Sequence, residues 1–274
     1  MNLKKTAIIF ALSLIVIAGL AAPKNIRALD NEEFEVFYQP KFDIHSEPFK
    51  LVSTEALVRW HHPDLGMIEP GDFIPLFENN SQITILDKYV WKRAAKMISL
   101  WKEKYDIALS VSINLSRVDI FDNTLEETLE DILSSNNLDH DSLKLEITES
   151  AYTENADQVI QVVGRLRSLG FKVEMDDFGT GYSSLNMLSS MPIDVLKMDR
   201  EFIRNIDHDQ KGQQLVALII EIAKNLKIPV IAEGVERETQ IQILRKMGCD
   251  IVQGFYFSRP LPADEFEKRF LVTI

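Results

Sequence analysis

Leu143-Lys144-Leu145-Glu146-Ile147-Thr148-Glu149 and Phe171-Lys172-Val173-Glu174-Met175-Asp176-Asp177-Phe178 are two strand-like runs. Between them Ala156–Ser168 repeats its apolar residues at helical spacing. A strand, a crossover helix and a second strand form a parallel unit, because a parallel pair needs a connection of a dozen or more residues. The same alternation extends in both directions. Strand-like runs lie at Phe34–Pro40, Ser53–Trp60, Ala108–Leu115, Asp194–Asp199, Pro229–Val235 and Asp250–Phe257. Helical patterns fill Ile83–Lys104, Leu125–Ser135, Gln213–Lys227 and Thr239–Met247, with shorter ones near Gly71–Asn79, Ser183–Met191 and Asp264–Phe270. Eight strands alternating with helices predict an α/β fold closed as a (β/α)8 TIM-like barrel. One gap breaks the rule. Lys41–Val52 contains His45-Ser46-Glu47-Pro48, which reads as a turn and not a crossover helix. The first strand is therefore expected to run antiparallel to the second, in a variant barrel.

Composition narrows the function. The 274 residues carry 42 acidic against 30 basic side chains, a net charge of −12, with 46% hydrophobic and 26% charged residues. That profile excludes disordered, collagenous and disulfide-scaffold classes. It also argues against a nucleic-acid polymer as partner, since no basic excess is available for counterion release. A small phosphorylated ligand remains open where divalent metals reverse the local sign. The single Cys249 rules out an internal disulfide and any cysteine-rich zinc site.

Lys4-Lys5 precede an uncharged apolar stretch, Thr6–Ala22, whose length lies between a signal-peptide core and a full membrane span. Residues 1–24 are read as an N-terminal hydrophobic helix anchoring the chain to the cytoplasmic membrane through residues 6–22. Export after signal cleavage is the alternative, since Ala18, Gly19, Ala21 and Ala22 allow a cleavage site. Basic residues flank both sides, so charge gives no clear orientation. The remainder, 25–274, has the usual size of one barrel, about 250 residues.

Five strands carry acids or amides within them or at their ends: Glu55, Asn114, Glu146, the pair Asp176-Asp177, and Glu233. Singly, each reads as a solvated strand end or a helix cap. Together they converge on one mouth of a barrel, where such folds place their chemistry. Carboxylates so grouped raise one another's protonation unless cations sit among them. Oxygen donors suit Mg2+ or Mn2+ rather than zinc, and the five histidines show no ligand spacing. Lys197 shares a strand face with Asp199. A structural ion pair and a lysine that orients or deprotonates an attacking water are comparable readings.

The ordered motifs are more specific than any single acid. Glu55-Ala56-Leu57-Val58-Arg59, Leu145-Glu146-Ile147-Thr148-Glu149 and Asp176-Asp177-Phe178-Gly179-Thr180-Gly181-Tyr182-Ser183-Ser184-Leu185 follow one another in the chain. Tyr38-Gln39-Pro40, Phe73-Ile74-Pro75-Leu76, Lys197-Met198-Asp199, Ala232-Glu233-Gly234-Val235-Glu236 and Gln253-Gly254-Phe255-Tyr256-Phe257-Ser258-Arg259-Pro260 complete the set. Over about residues 25–270 the chain resembles the EAL-domain cyclic di-GMP phosphodiesterases.

The resemblance implies hydrolysis of cyclic di-GMP to linear pGpG, with two Mg2+ or Mn2+ ions per site. It assigns Glu55, Asn114, Glu146 and Asp176 to a first metal. A second is shared by Asp176 with Asp177 and Glu233. Lys197 matches the lysine associated with the attacking water, and Glu149 the glutamate that holds the Asp176–Ser184 loop. Arg59 would contact phosphate, while Gln39, Leu57, Pro75, Glu236 and Gln253 look like substrate-side positions. A homodimer is expected by resemblance only. Ser53-Thr54, Phe77 and Asn79-Asn80 depart from the usual pattern, and none is a metal position. The rival expectation is a silent cyclic di-GMP receptor or protein-interaction module, which would typically have lost a ligand, the lysine or the loop glutamate.

Overall fold

The computed structural model describes residues 28–179 and 185–272. Ten strands form one sheet: β1 Phe34–Asp43, β2 Lys50–His62, β3 Gly66–Ile68, β4 Ser110–Leu115, β5 Leu143–Thr148, β6 Lys172–Phe178, β7 Val195–Met198, β8 Val230–Ala232, β9 Ile251–Gln253 and β10 Leu261–Pro262. Strands β2 and β4 to β9 pair in parallel, each with the next. β1 closes the ring by pairing antiparallel with β2 on one side and β9 on the other. The result is an eight-stranded closed barrel with the antiparallel first strand that the short 41–52 connection predicts. β3 and β10 are additions outside the ring, paired antiparallel to β2 and β1. Their two or three residues are too short for an alternating pattern to show in the sequence.

Helices cover the outside of the sheet: α1 Pro70–Asn79, α2 Ile83–Tyr105, α3 Arg117–Ile120, α4 Leu125–Ser135, α5 Glu149–Glu154, α6 Ala156–Leu169, α7 Leu185–Ser190, α8 Arg200–Ile203, α9 Gln210–Asn225, α10 Glu238–Met247 and α11 Ala263–Phe270. α2 buries Leu86, Val90, Ala94, Ile98 and Trp101, spaced three or four apart, with Trp91 beside them, and stops where Asp106 adopts a left-handed φ of 53°. Trp101 stacks on Phe266 of α11, with ring centres 5.0 Å apart, and meets Tyr38 of β1 edge-on at 5.0 Å. The antiparallel strand is thereby sealed by two helices distant in sequence. The expected run Asp250–Phe257 ends early, at Gln253. Gly254 lies so close to Val235 that an added Cβ would sit 2.1 Å from the Val235 carbonyl oxygen.

The membrane anchor expected at residues 6–22, with the cytoplasmic-membrane localisation drawn from it, is corrected. Among the described residues no helix is long and apolar enough to cross a membrane. α2 has the length, but Asp87, Lys88, Lys92, Arg93 and Lys96 interrupt it. The N-terminal hydrophobic helix of the expected fold is likewise unsupported, because residues 1–27 lie outside those described.

Asp87 of α2 hydrogen-bonds with Asp119 of α3 and with Ser116, the residue that caps α3. Burial, with the neighbouring Asp119 charge adding to it, raises the Asp87 carboxyl well above the usual range. The folded state thus retains a proton that the unfolded chain releases. This contribution to stability is full below the ordinary carboxylate value and declines as pH rises through the folded value. Asp87→Asn should flatten that decline, as measured by urea unfolding at about pH 5 and about pH 8. An equal decline in parent and variant would show that another group causes it.

Candidate active site

Strand alternation turns Gln39 and Lys41 of β1, Glu55 and Leu57 of β2, Ser112 and Asn114 of β4, and Glu146 of β5 toward the barrel axis. Glu174 and Asp176 of β6 and Lys197 of β7 share that face. Register then stacks them. Gln39 lies opposite Glu55, Glu55 beside Ser112, Asn114 beside Glu146, and Glu146 beside Glu174. The interior is a ladder of polar side chains, and the hydrophobic core lies outside it, between sheet and helices.

At the upper rung, the Lys197 ammonium is fully buried and lies between four carboxylates. It is 2.8 Å from Glu146 Oε2, 2.9 Å from Asp176 Oδ1, 2.8 Å from Glu233 Oε1 and 3.5 Å from Glu55 Oε2. Burial opposes its charge, but Asp176, Glu146, Glu233 and Glu55 together outweigh burial and hold the ammonium well above the usual lysine range. Burial likewise raises the carboxyls of Asp176, Asp177 and, most strongly, Glu233. The other oxygen of Glu146 meets a second buried ammonium, Lys41. Burial disfavours that charge too, and Glu146 and Glu174 prevail over it.

Asp176 and Asp177 are consecutive, so regular alternation would separate them. Asp177 adopts a left-handed φ of 56°, and the β6–β7 register slips between Met175 and Phe178. This irregularity brings both acids to one place. Carboxylate oxygens of Asp176, Asp177 and Glu233 lie within 4.8 Å of one another, close enough to share an ion. Every donor offered at this mouth, the Asn114 amide included, is oxygen, which suits a hard divalent cation.

Glu149 begins α5, one residue beyond the strand on which the sequence places it. Its Oε2 accepts a hydrogen bond from the Gly179 backbone N–H at 3.1 Å, tying the chain just past Asp177 to β5. Gly179 has φ +101° and faces Phe202, with no room for a Cβ. Residues 180–184, which include Gly181 and the rest of the expected loop, lie outside those described.

Beside the acids opens a cavity of about 270 Å³ lined by Gln39, Leu57, Glu236, Gln253 and Phe255 among others. Gln253 Nε2 bonds Glu55 Oε2 at 2.6 Å and Gln39 Oε1 at 3.0 Å, joining the cavity floor to the carboxylates. Arg59 is mostly buried, 3.4 Å from Glu69 and over the Phe37 ring. Pro75 is exposed on α1 and does not line this cavity. A larger hollow of about 440 Å³ lies at the start of β1, near Glu35, His61 and Arg93, away from the acidic cluster. Three residues of the site region escape the sequence reading: Lys41, Glu174 and the cavity-lining Arg200. Lys41 and Glu174 were detectable, since each stands two residues from a candidate on the same strand face.

The family model for the EAL domain matches residues 25–260. The chain is 38% identical over 248 residues to the cyclic di-GMP phosphodiesterase PdeR of Escherichia coli (strain K12), covering 89% of this chain and 37% of that protein. It is 35% identical over 239 residues to the bifunctional diguanylate cyclase/cyclic di-GMP phosphodiesterase MucR of Pseudomonas aeruginosa, covering 87% and 35%. It therefore spans roughly a third of the length of these curated relatives. Among solved structures, the PaMucR phosphodiesterase in complex with c-di-GMP superposes with a TM-score of 0.83 at 33% identity, covering 89% of this chain and 98% of that one. The EAL enzyme Bd1971, bound to cAMP and cyclic di-GMP, gives 0.86 at 32%, covering 94% and 69%. Barrel topology, acidic mouth and sequence likeness agree: this chain belongs to the EAL domain family.

Proposed function

We propose that the chain hydrolyses one phosphodiester of cyclic di-GMP to give linear pGpG. The observation that carries this reading is the convergence of Glu55, Glu146, Asp176 and Glu233 on one ammonium beside the cavity lined by Gln39, Leu57, Glu236 and Gln253. The oxygen-only donor set fits divalent cations, Mg2+ or Mn2+, two per site. Glu55, Asn114, Glu146 and Asp176 would hold the first, and Asp176, Asp177 and Glu233 the second. Such ions, when bound, supply a nucleophile at neutral pH and neutralise charge on the phosphoryl oxygens.

The chain's own groups do the rest. Lys197 reaches three of the candidate ligands at 2.8–2.9 Å and, as an ammonium, donates hydrogen bonds and accepts none. Of its two functional roles, an ammonium without a lone pair can orient the attacking water but cannot remove its proton. As the water oxygen joins phosphorus, the bond from phosphorus to one sugar oxygen breaks; one water proton reaches that leaving oxygen by way of solvent, and the other passes to solvent from the new phosphate. Arg59 is suited to the phosphate, since its planar fork matches phosphoryl oxygens. Gln39 and Gln253, held by their own hydrogen bonds, shape with Leu57 the cavity wall that would face base and sugar. Glu149 holds the backbone at Gly179 and so supports the position of Asp177.

The full chain should convert cyclic di-GMP to pGpG in Mg2+ or Mn2+, followed by chromatography of the nucleotides. Binding without turnover in either metal would assign the chain to the receptor class. A chelator should abolish turnover, and adding back the divalent ion should restore it. Glu55→Ala and Asp176→Asn should each abolish turnover while the fold is retained by circular dichroism, and full activity in both would refute the ligand assignment. Lys197→Met, checked for retained fold by circular dichroism, should lower kcat by about 10²-fold, the loss that follows misplacement of a reacting group.

A further inference from the structure

Beneath the acidic mouth lies a second charged layer that the reaction as described does not use. Lys41, on the antiparallel strand β1, is fully buried, as are Ser112, Glu146 and Glu174 around it. Its Nζ donates to Glu146 Oε1 at 2.7 Å, Glu174 Oε2 at 2.8 Å and Ser112 Oγ at 2.7 Å, which uses all three of its protons. Ser112 Oγ donates in turn to Glu174 Oε2 at 3.0 Å. Glu174 Oε1 faces Lys144 at 3.5 Å. Glu146 therefore stands between two ammonium groups, with Oε1 held from below by Lys41 and Oε2 presented upward, 2.8 Å from Lys197.

A carboxylate free to rotate about its terminal bond can offer either oxygen, or both, to an ion. One whose lower oxygen is fixed by a buried donor can offer only the upper. Metal-binding carboxylates depend on such outer hydrogen bonds for orientation, and losing one typically lowers metal affinity by about 10–100-fold. We propose that Lys41 is a positioning residue for the metal site, fixing Glu146 so that a single oxygen faces the ions, with Glu174 and Ser112 fixing Lys41 in turn. This rests on Glu146 being a metal ligand. It also gives the antiparallel first strand a role at the reaction centre. The register that sets Lys41 opposite Ser53 and Gln253 places its side chain below Glu55 and not beside it.

The test is Mn2+ titration of the full chain, followed by the electron paramagnetic resonance signal of the free ion, together with urea unfolding of each variant. Lys41→Met alone strands two buried carboxylates, so the deciding variant is Lys41→Met/Glu174→Leu, which removes the pair as a unit. Replacing a buried ion pair with apolar residues is often neutral for stability. The double variant should unfold near the parent midpoint yet bind Mn2+ about 10–100-fold more weakly. Parent-like Mn2+ affinity in a folded double variant would overturn the proposal. Loss of its cooperative unfolding transition would overturn it equally, by assigning Lys41 to the fold alone. Glu146→Gln is the reference. Should it leave Mn2+ affinity unchanged, the ligand reading itself fails and the proposal with it. Weakened binding in Glu146→Gln beside intact binding in the double variant isolates the failure to Lys41.

Discussion

Two buried ammonium groups set the terms for the interior of this barrel. A carboxylate withdrawn from water costs several kcal/mol unless opposite charge and hydrogen bonds replace its hydration. Here Glu146 and Glu174 are completely buried and Glu55 nearly so. Lys41 and Lys197 supply the compensating charge from opposite sides of Glu146, at 2.7 Å and 2.8 Å. Removing either alone would leave an uncompensated buried anion, so each lysine stands or falls with the carboxylates it pairs. The acids at the mouth exceed what one lysine can neutralise, since Asp176, Glu233 and Glu55 also crowd Lys197. That excess of negative charge at one partly exposed mouth is the charge that the proposed divalent cations would neutralise.

The antiparallel first strand follows from a short connection, but its consequences reach the site. A parallel strand in the same slot would enter the ring from the other end and reverse the order of its inward residues. In the observed direction β1 carries Gln39 to the level of Glu55 and Lys41 one rung lower. Gln39 then joins the Gln253–Glu55 chain of hydrogen bonds at the cavity, while Lys41 supports Glu146 from beneath. Closure by β1 also sets Tyr38 against Trp101 and Phe266 on the outer face, so one strand links the aromatic core to the polar interior.

Most of this was legible in the sequence because the signals are periodic. Eight strand runs, their intervening helices and the odd direction of the first follow from apolar spacing and one missing crossover. The ordered motifs named the acids that the barrel gathers around Lys197. What was not legible depends on departures from periodicity or on partners distant in sequence. Strict alternation cannot place Asp176 and Asp177 together, because it contains no left-handed residue or register slip. Pro75 belongs to a family motif, yet its helix turns it outward, which a motif does not encode. The inward face of Lys41 follows from Gln39 two residues earlier, but its partners do not, since only closure of the ring brings Glu146 and Glu174 to it from 105 and 133 positions along the chain.

The irregularity of β6 at the mouth of the barrel has a physical reason. A regular strand alternates its side chains, so it can deliver at most one of two adjacent acids to an ion. Asp177 breaks alternation at the cost of a strained left-handed φ for a residue with a Cβ. Such strain persists only where neighbours oppose its relaxation. Asp177 N–H is tied to Asp176 Oδ1 at 2.9 Å, and Gly179 N–H to Glu149 at 3.1 Å, bracketing the irregular residue on both sides. Phe202 packs where a Gly179 side chain would go and so prevents the turn from unwinding in that direction. Below this level β4, β5 and β6 pair without a register shift, and Lys41 is paired with Glu146 and Glu174. Those layers carry the mouth, where the Asp177 distortion brings two adjacent acids together.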